Sequence, residues 1–242
     1  MTATRHFPSR PTLRVFEPNT AGRDFAVGDI HGWFSELEQA LQAVRFDAAR
    51  DRLFALGDLV DRGPESARML DWLEKPWFHA VRGNHEVMAC AALLGSADDM
   101  AFHIRHGGAW LHELDEATQA RCARAMQALP LAIEVPTASG PVALVHADLP
   151  TDDWQDLRQS LLAGRLTPRE ASHCVWSIER YRHRYAAPVR GARAVAHGHI
   201  TLPRPLTLGN VHYIDTKGGY ADKRYTLLTL NAPVLQSFIW PD

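Results

Sequence analysis

Short apolar runs, each closed by a polar turn that contains glycine, punctuate the first 95 residues of this chain. Leu13 to Phe16 and Phe25 to Val27 read as two short strands joined by the turn-rich Pro18-Asn19-Thr20-Ala21-Gly22. The second strand ends in Gly28-Asp29-Ile30-His31-Gly32, after which Leu37, Ala40, Leu41 and Val44 recur at helical spacing with Ser35 as N-cap. Leu53 to Leu56 is a second run, ending at Gly57-Asp58, and Pro64 begins a helix through Ala67, Leu70 and Leu73. Trp77 to Val81 is a third, ending at Gly83-Asn84-His85-Glu86 before a helix to about Leu94. Strand, polar turn and helix thus recur three times, at 25 to 30 residues per unit. Parallel strands with crossover helices account for this, and the three turns then meet at the carboxyl ends of neighbouring strands.

Beyond that point the pattern is less regular. Gly95 to Gly108 reads as a loop, Trp110 to Leu114 and Ala117 to Leu129 as helices, and Leu131 to Val135 and Val142 to Val145 as strands about a hairpin-like turn. Residues 149 to 190 are polar and Arg-rich, with a short helix predicted only from Pro168. Ala192 to Ala196 ends in His197-Gly198-His199. Val211 to Ile214, Tyr225 to Leu230 and Val234 to Ile239 are predicted as antiparallel strands of a second sheet. Residues 1 to 11, with Pro8 and Pro11, read as a flexible arm before a single domain spanning 12 to 242.

Composition sharpens the class. A chain of 242 residues that is 46% hydrophobic and 22% charged can bury one large α/β core. The net charge of −2 gives no electrostatic reason to expect nucleic acid or an anionic membrane surface. Cys90, Cys122 and Cys174 are odd in number, form no CxxC pair and suit a reducing compartment as buried apolar residues. Without an apolar run of about 18 residues or the apolar core of a signal peptide, a soluble cytoplasmic protein is expected.

Five strand ends carry side chains suited to metal or acid–base chemistry: Asp29 with His31; Asp58 with Asp61 and Arg62; Asn84 with His85; His146; and His197 with His199. Carboxylate, carboxamide and imidazole together suit Mn²⁺, Fe²⁺ or Zn²⁺ rather than an all-oxygen Ca²⁺ cage or a thiolate zinc site. The ligands are too many for one ion and enough for two sharing a carboxylate. Ions about 3.5–4 Å apart clamp an in-line displacement at phosphorus and make hydroxide available near neutral pH. Arg62 is placed for bidentate contact with phosphate. A histidine can protonate the leaving alkoxide; His85 adjoins Asn84, and it either does this, with Asp61 as partner, or merely orients Asn84.

Gly28-Asp29-Ile30-His31-Gly32, Gly57-Asp58-Leu59-Val60-Asp61-Arg62-Gly63 and Gly83-Asn84-His85-Glu86, in this order and spacing, resemble the three-part signature of the phosphoprotein phosphatase (calcineurin-like metallophosphoesterase) superfamily. The likeness is nearest to the small bacterial and bacteriophage lambda-type serine/threonine phosphatases. It extends to Trp77–Val81, His146-Ala147-Asp148, Gly198-His199 and Ile214-Asp215-Thr216, over residues from about 12 to about 230. It implies a sandwich of two mixed β-sheets flanked by helices, with the site at strand carboxyl ends. It further implies that Asp29 and His31 bind a first ion, Asp58 bridges, and Asn84, His146 and His199 complete a second. His85 is then the general acid with Asp61 as partner, and Arg62, Asn84 and Arg180 face the phosphate. The expected reaction is hydrolysis of phosphoserine or phosphothreonine in proteins and peptides by a metal-bridging hydroxide, with Mn²⁺ the leading metal and Fe²⁺ or Zn²⁺ the others.

Two positions depart from the pattern. Where lambda-type enzymes have Trp-x-Arg-x-Arg, this chain has Trp176-Ser177-Ile178-Glu179-Arg180, leaving Arg180, with Arg182 and Arg184 as stand-ins. The glycine expected after Ile-Asp-Thr is Lys217, a cation for the cleft or for solvent. His197 is read as a non-ligand, since the family commonly has an apolar residue there. His6, His79, His103, His106, His112, His173, His183 and His212 are read as surface or locally bonded residues. Two other functions compete. One is symmetrical diadenosine-tetraphosphate hydrolysis, whose enzymes typically carry Ala at Asp61 and Asp at Glu86; the other is phosphoprotein binding without turnover.

Overall fold

A computed structural model describes residues 12–240. The predicted arm at residues 1–11 lies outside them. Strands β1 (Leu13–Val15) and β2 (Asp24–Val27) lead to helix α1 (Phe34–Ala43), β3 (Arg52–Ala55), a 3₁₀ turn at Ser66–Arg68 and α2 (Met69–Leu73). Next come β4 (Phe78–Ala80), α3 (Asn84–Leu94), α4 (Ala97–His103), a π-helical turn at Ile104–Gly108, α5 (Ala109–His112) and α6 (Glu116–Ala128). After β5 (Ala132–Val135) and β6 (Val142–Val145) the chain forms α7 (Trp154–Leu162), α8 (Pro168–Trp176) and α9 (Glu179–Arg182). It closes with β7 (Ala194–His197), β8 (Leu206–Leu208), β9 (Val211–Tyr213), β10 (Tyr225–Thr229) and β11 (Ser237–Trp240).

These strands form two mixed sheets, in the orders β11-β10-β2-β3-β4 and β1-β5-β6-β7-β9-β8. As the threefold repeat predicts, β2, β3 and β4 are adjacent and parallel. The period of two along each strand builds three cores. Ala26, Phe54, Leu56, Val142, Leu144, Ala194 and Ala196 pack between the sheets. Their neighbours Phe25, Val27, Leu53 and Ala55 face outward into a core with Phe34, Leu37, Trp72 and Met126 from the helices. On the other sheet Ala143, Val145 and Val195 pack against Trp154, Leu157, Cys174 and Val175 of α7 and α8. The result is helix, sheet, sheet, helix, with the three cysteines buried and free.

Several expectations change. The three C-terminal strands do not form a sheet of their own. Strand β9 pairs in parallel with β7, whereas β10 pairs antiparallel with β2 and with β11. Local pattern cannot assign a strand to one of two sheets when both faces of each are buried. Residues 95 to 108 are not a loop: Ser96 and Asp99 cap α4 reciprocally, and the helix runs on into the π turn. Ser35 does not cap α1; the Glu65 carboxylate accepts from the Ser35 N–H instead, at 2.7 Å. Within 149 to 190, α8 starts at Pro168 as predicted, but α7, capped by Asp153, and α9 were hidden by their polarity.

Candidate active site

The turns that follow β2, β3 and β4 leave the sheet at one edge, and those after β6 and β7 reach the same place from the second sheet. Their tight geometry is visible in the backbone. Seven non-glycine residues among those described have positive φ, and His31, Asp58, Asp61, Arg62 and His199 are five of them. Such conformations persist only where surrounding contacts over-determine them. Glu86 supplies many of those contacts: fully buried, its carboxylate accepts from the backbone N–H of Gly83, Asp58 and Leu59 at 2.7 to 3.0 Å. It thus ties the second motif to the third. Glycine is required at Gly83, where an added Cβ would lie 2.1 Å from Asp58 Oδ1, and at Gly198, where it would lie 2.3 Å from Asp29 Oδ1.

Two groups of possible ligands, each with its donor atoms within 4.8 Å of one another, share Asp58: His31, Asp58 and His85, and Asp58, His146 and His199. The imidazole tautomers follow from backbone partners. His31 Nδ1 donates to the Val60 carbonyl at 2.8 Å and His146 Nδ1 to that of Leu56 at 2.6 Å. Each Nε2 is thereby left as a lone pair aimed inward. His31 Nε2 is buried with no hydrogen-bond partner, 3.8 Å from Asp29 Oδ2 and 3.7 Å from Asp58 Oδ2. His146 Nε2 lies 2.8 Å from Asn84 Oδ1 and 3.5 Å from Asp58 Oδ2, and His199 Nδ1 lies 3.0 Å from Asn84 Oδ1.

These donors fit a pair of divalent ions. Burial, with Asp215 and Asp58 nearby, pushes the Asp29 carboxyl well above the usual carboxylate range; burial and Glu86 do the same to Asp58. Burial holds His31 and His146 neutral, well below the ordinary imidazole value, and pushes His199 down to about 4. Crowded carboxylates whose charged forms burial disfavours, facing neutral imidazole lone pairs, suit a ligand set for cations.

His85 is distinguishable from the ligands although it falls geometrically in the first group. Its Nδ1 meets Asp61 Oδ2 at 2.7 Å, and its Nε2 is 3.2 Å from the Arg62 guanidinium. A cation already sits against the free nitrogen, which disfavours a metal ion there. The Arg62 side chain reaches the surface, anchored by Nη1 donating to the Gly218 carbonyl at 2.7 Å.

Arg180 is not brought to this cluster. Its buried guanidinium donates to the Tyr185 and Ala187 carbonyls at 3.1 and 2.8 Å, pairs with Asp152 and lies 3.7 Å from Asp148. It lines a separate cavity of about 370 Å³ with the carboxylates of Asp148, Asp152 and Glu179. The guanidinium expected to face the phosphate is instead engaged by two carbonyls and two acidic side chains. Lys217 enters neither cleft nor solvent: it is buried, paired with Glu36 and set 4.7 Å over the Trp33 ring. His197 falls in neither ligand group, although its Nδ1 also donates to a backbone carbonyl, that of Val145, at 2.8 Å.

Sequence reading missed two residues. Glu86 is the clasp just described. His103 is buried rather than at the surface and bonds Asp61 at 3.0 Å. Its helix carries no strand-end signature, so nothing local marked it.

Comparison with known proteins agrees with this geometry. The profile of the calcineurin-like phosphoesterase family matches residues 25–220. Serine/threonine-protein phosphatase 1 of Salmonella typhimurium is 38% identical over 200 residues, covering 79% of this chain and 85% of that protein. The symmetrical bis(5′-nucleosyl)-tetraphosphatase of Methylococcus capsulatus is 32% identical over 128 residues, covering 52% of this chain and 43% of that protein. A crystal structure provisionally assigned as a diadenosine tetraphosphatase shares the fold, with a TM-score of 0.64 at 21% identity, covering 96% of this chain and all of that one. With two candidate ligand groups that share Asp58, its two-sheet sandwich and these matches, the chain belongs to the calcineurin-like phosphoesterase family.

Proposed function

We propose that this phosphoesterase is a protein serine/threonine phosphatase, acting on phosphorylated proteins or peptides with Mn²⁺ as its metal. Asp29 and His31 would hold one ion, Asp58 both, and Asn84, His146 and His199 the other. When bound, the ions supply the nucleophile and the positive charge that phosphorus chemistry needs.

The observation that carries the choice of substrate is the Asp61–His85 pair at 2.7 Å beside Arg62. A serine or threonine alkoxide is a poor leaving group and needs a proton in the transition state. Asp61 holds His85 through Nδ1 and leaves Nε2 as the atom that carries a proton to the leaving oxygen. With no substrate, Nε2 accepts from Arg62. A phosphate dianion draws the guanidinium to itself and frees that nitrogen to be protonated. Similarity to curated serine/threonine phosphatases over most of the chain supports the same reading.

Symmetrical dinucleoside-tetraphosphate hydrolysis is the second reading, favoured by the shorter matches to such enzymes. Its phosphate leaving group has less need of an acid. Manganese-loaded protein presented with phosphoserine, phosphothreonine and phosphotyrosine peptides and a dinucleoside tetraphosphate decides between them. A higher kcat/KM for the serine or threonine peptides is expected; a higher one for the dinucleotide would sink the proposal.

A further inference from the structure

We propose that His103 is a positioning residue for the general acid, fixing the Asp61 carboxylate so that it aligns His85; this rests on the phosphatase reading above. Asp61 accepts from three rings. His85 Nδ1 and Trp110 Nε1 each approach at 2.7 Å, and His103 Nε2 lies 3.0 and 3.1 Å from the two carboxylate oxygens. A carboxylate held by one donor can rotate about its last bond. Three donors from different directions fix its plane and hence the direction of the His85 ring.

The tautomer of His103 follows from its partners. Despite burial, which pushes the other way, the hydrogen bonds from His103 and His85 hold the Asp61 carboxyl well below the usual range, so it is ionised and accepts only. His103 therefore presents Nε2–H to it. The remaining Nδ1 lies 3.3 Å from His112 Nε2, so one of these two rings donates to the other. His103 is fully buried and His112 half-buried, so the chain from His85 through Asp61 and His103 ends at a ring that solvent reaches.

The same segment also braces the backbone. Asp61 and Arg62 have φ of 72° and 67°, two consecutive left-handed non-glycine residues. The Arg62 N–H donates to the Gly107 carbonyl at 3.2 Å, and an added Cβ on Gly108 would lie 2.2 Å from His103 Nε2. The π turn thus lies flat on the His103 ring while gripping the strained turn that bears the dyad and the phosphate-binding arginine.

A leaving-group comparison separates positioning from plain packing. Full-length manganese-loaded protein, His103→Leu and His103→Gln are assayed with a phosphoserine peptide, which needs the acid, and with p-nitrophenyl phosphate, which needs it little. For His103→Leu, kcat on the peptide is expected to fall about 10- to 100-fold and on the aryl phosphate by less than about threefold, with KM unchanged on both. His103→Gln, which keeps an N–H donor, should recover most of the peptide rate. Parallel loss on both substrates, or an unchanged peptide rate, overturns the inference. If His103→Leu does not fold, His112→Leu decides: a loss of about threefold confined to the peptide supports it, and unaltered selectivity overturns it. Wild-type protein inactive on both substrates would instead refute the phosphatase reading, and the inference with it.

Discussion

Two arginines were expected to meet the phosphate, and the regions that carry them differ in one decisive respect. Around Arg62, in the turn after β3, the guanidinium has a carbonyl and a neutral imidazole for partners and stands at the surface. Around Arg180, between α8 and β7, it is buried among two carboxylates and two carbonyls, with the Tyr185 ring 4.7 Å away. Both side chains carry the same charge, yet only one has it to spare. A phosphate approaching Arg62 replaces an uncharged partner. At Arg180 it would have to break ion pairs already formed and would meet the repulsion of Asp148 and Asp152. Availability for an anion is set by the counter-charges already present, not by the arginine.

The largest effects should come from residues beside Arg62. Asp58→Asn is expected to lower turnover of a phosphoserine peptide by at least about 10³-fold and to weaken manganese retention, read by metal analysis after dialysis, since both ligand groups share that carboxylate. Arg62→Ala should follow, reducing kcat/KM about 10- to 100-fold in steady-state assays, the loss of a charge-assisted fork to phosphate. Arg180→Ala should do the reverse: KM unchanged, but stability lowered by about 1–3 kcal/mol in urea unfolding, because Asp148 and Asp152 lose their partner. If Arg180→Ala raised KM as much as Arg62→Ala, the contrast between the two regions would collapse.

The smallest expected effect concerns acid. His79 and His212 are both pushed down to about 4, His79 by burial and the charges of Arg14 and Arg52, His212 by burial and those of His197 and Arg193. The unfolded chain, whose imidazoles titrate near the ordinary value of about 6.5, binds more protons across the interval below it. Stability from these two groups is therefore complete above that value and lost as pH falls through it towards about 4. His79→Phe, beside the Phe16 and Phe54 rings, should flatten the acid limb of a denaturation series by roughly 1 kcal/mol. Arg180→Ala should instead lower the whole curve between pH 4.5 and 7. An acid limb unchanged by His79→Phe would place the lability elsewhere.

Much of the candidate site was legible because its candidate ligands sit in short strand–turn motifs. Asp29, His31, Asp58, Asn84, His146 and His199 each sit in or just after the turn that closes an apolar run, and parallel strands bring such turns to one edge whatever fills the rest of the molecule. Glu86 lay in plain view within the third motif, but its work, accepting three backbone N–H groups from two motifs, depends on a close approach that spacing does not reveal. His103 was hidden more deeply. Its helix contributes a single side chain to the centre, and its partner Asp61 lies 42 residues away.

By itself, then, the order of residues determined the strand–turn–helix repeat, the alternating faces that build three cores, and the ligand chemistry at the strand ends, all consequences of contacts within a few positions. Tertiary structure decided which sheet took β9 and which took β10 and β11, because an apolar strand can pair at either sheet and its local pattern carries no preference between them. It also decided the use of Arg62, Arg180, Lys217 and His103. The behaviour of a charged or titratable side chain depends on the solvation and counter-charges around it, and those come from parts of the chain distant in sequence.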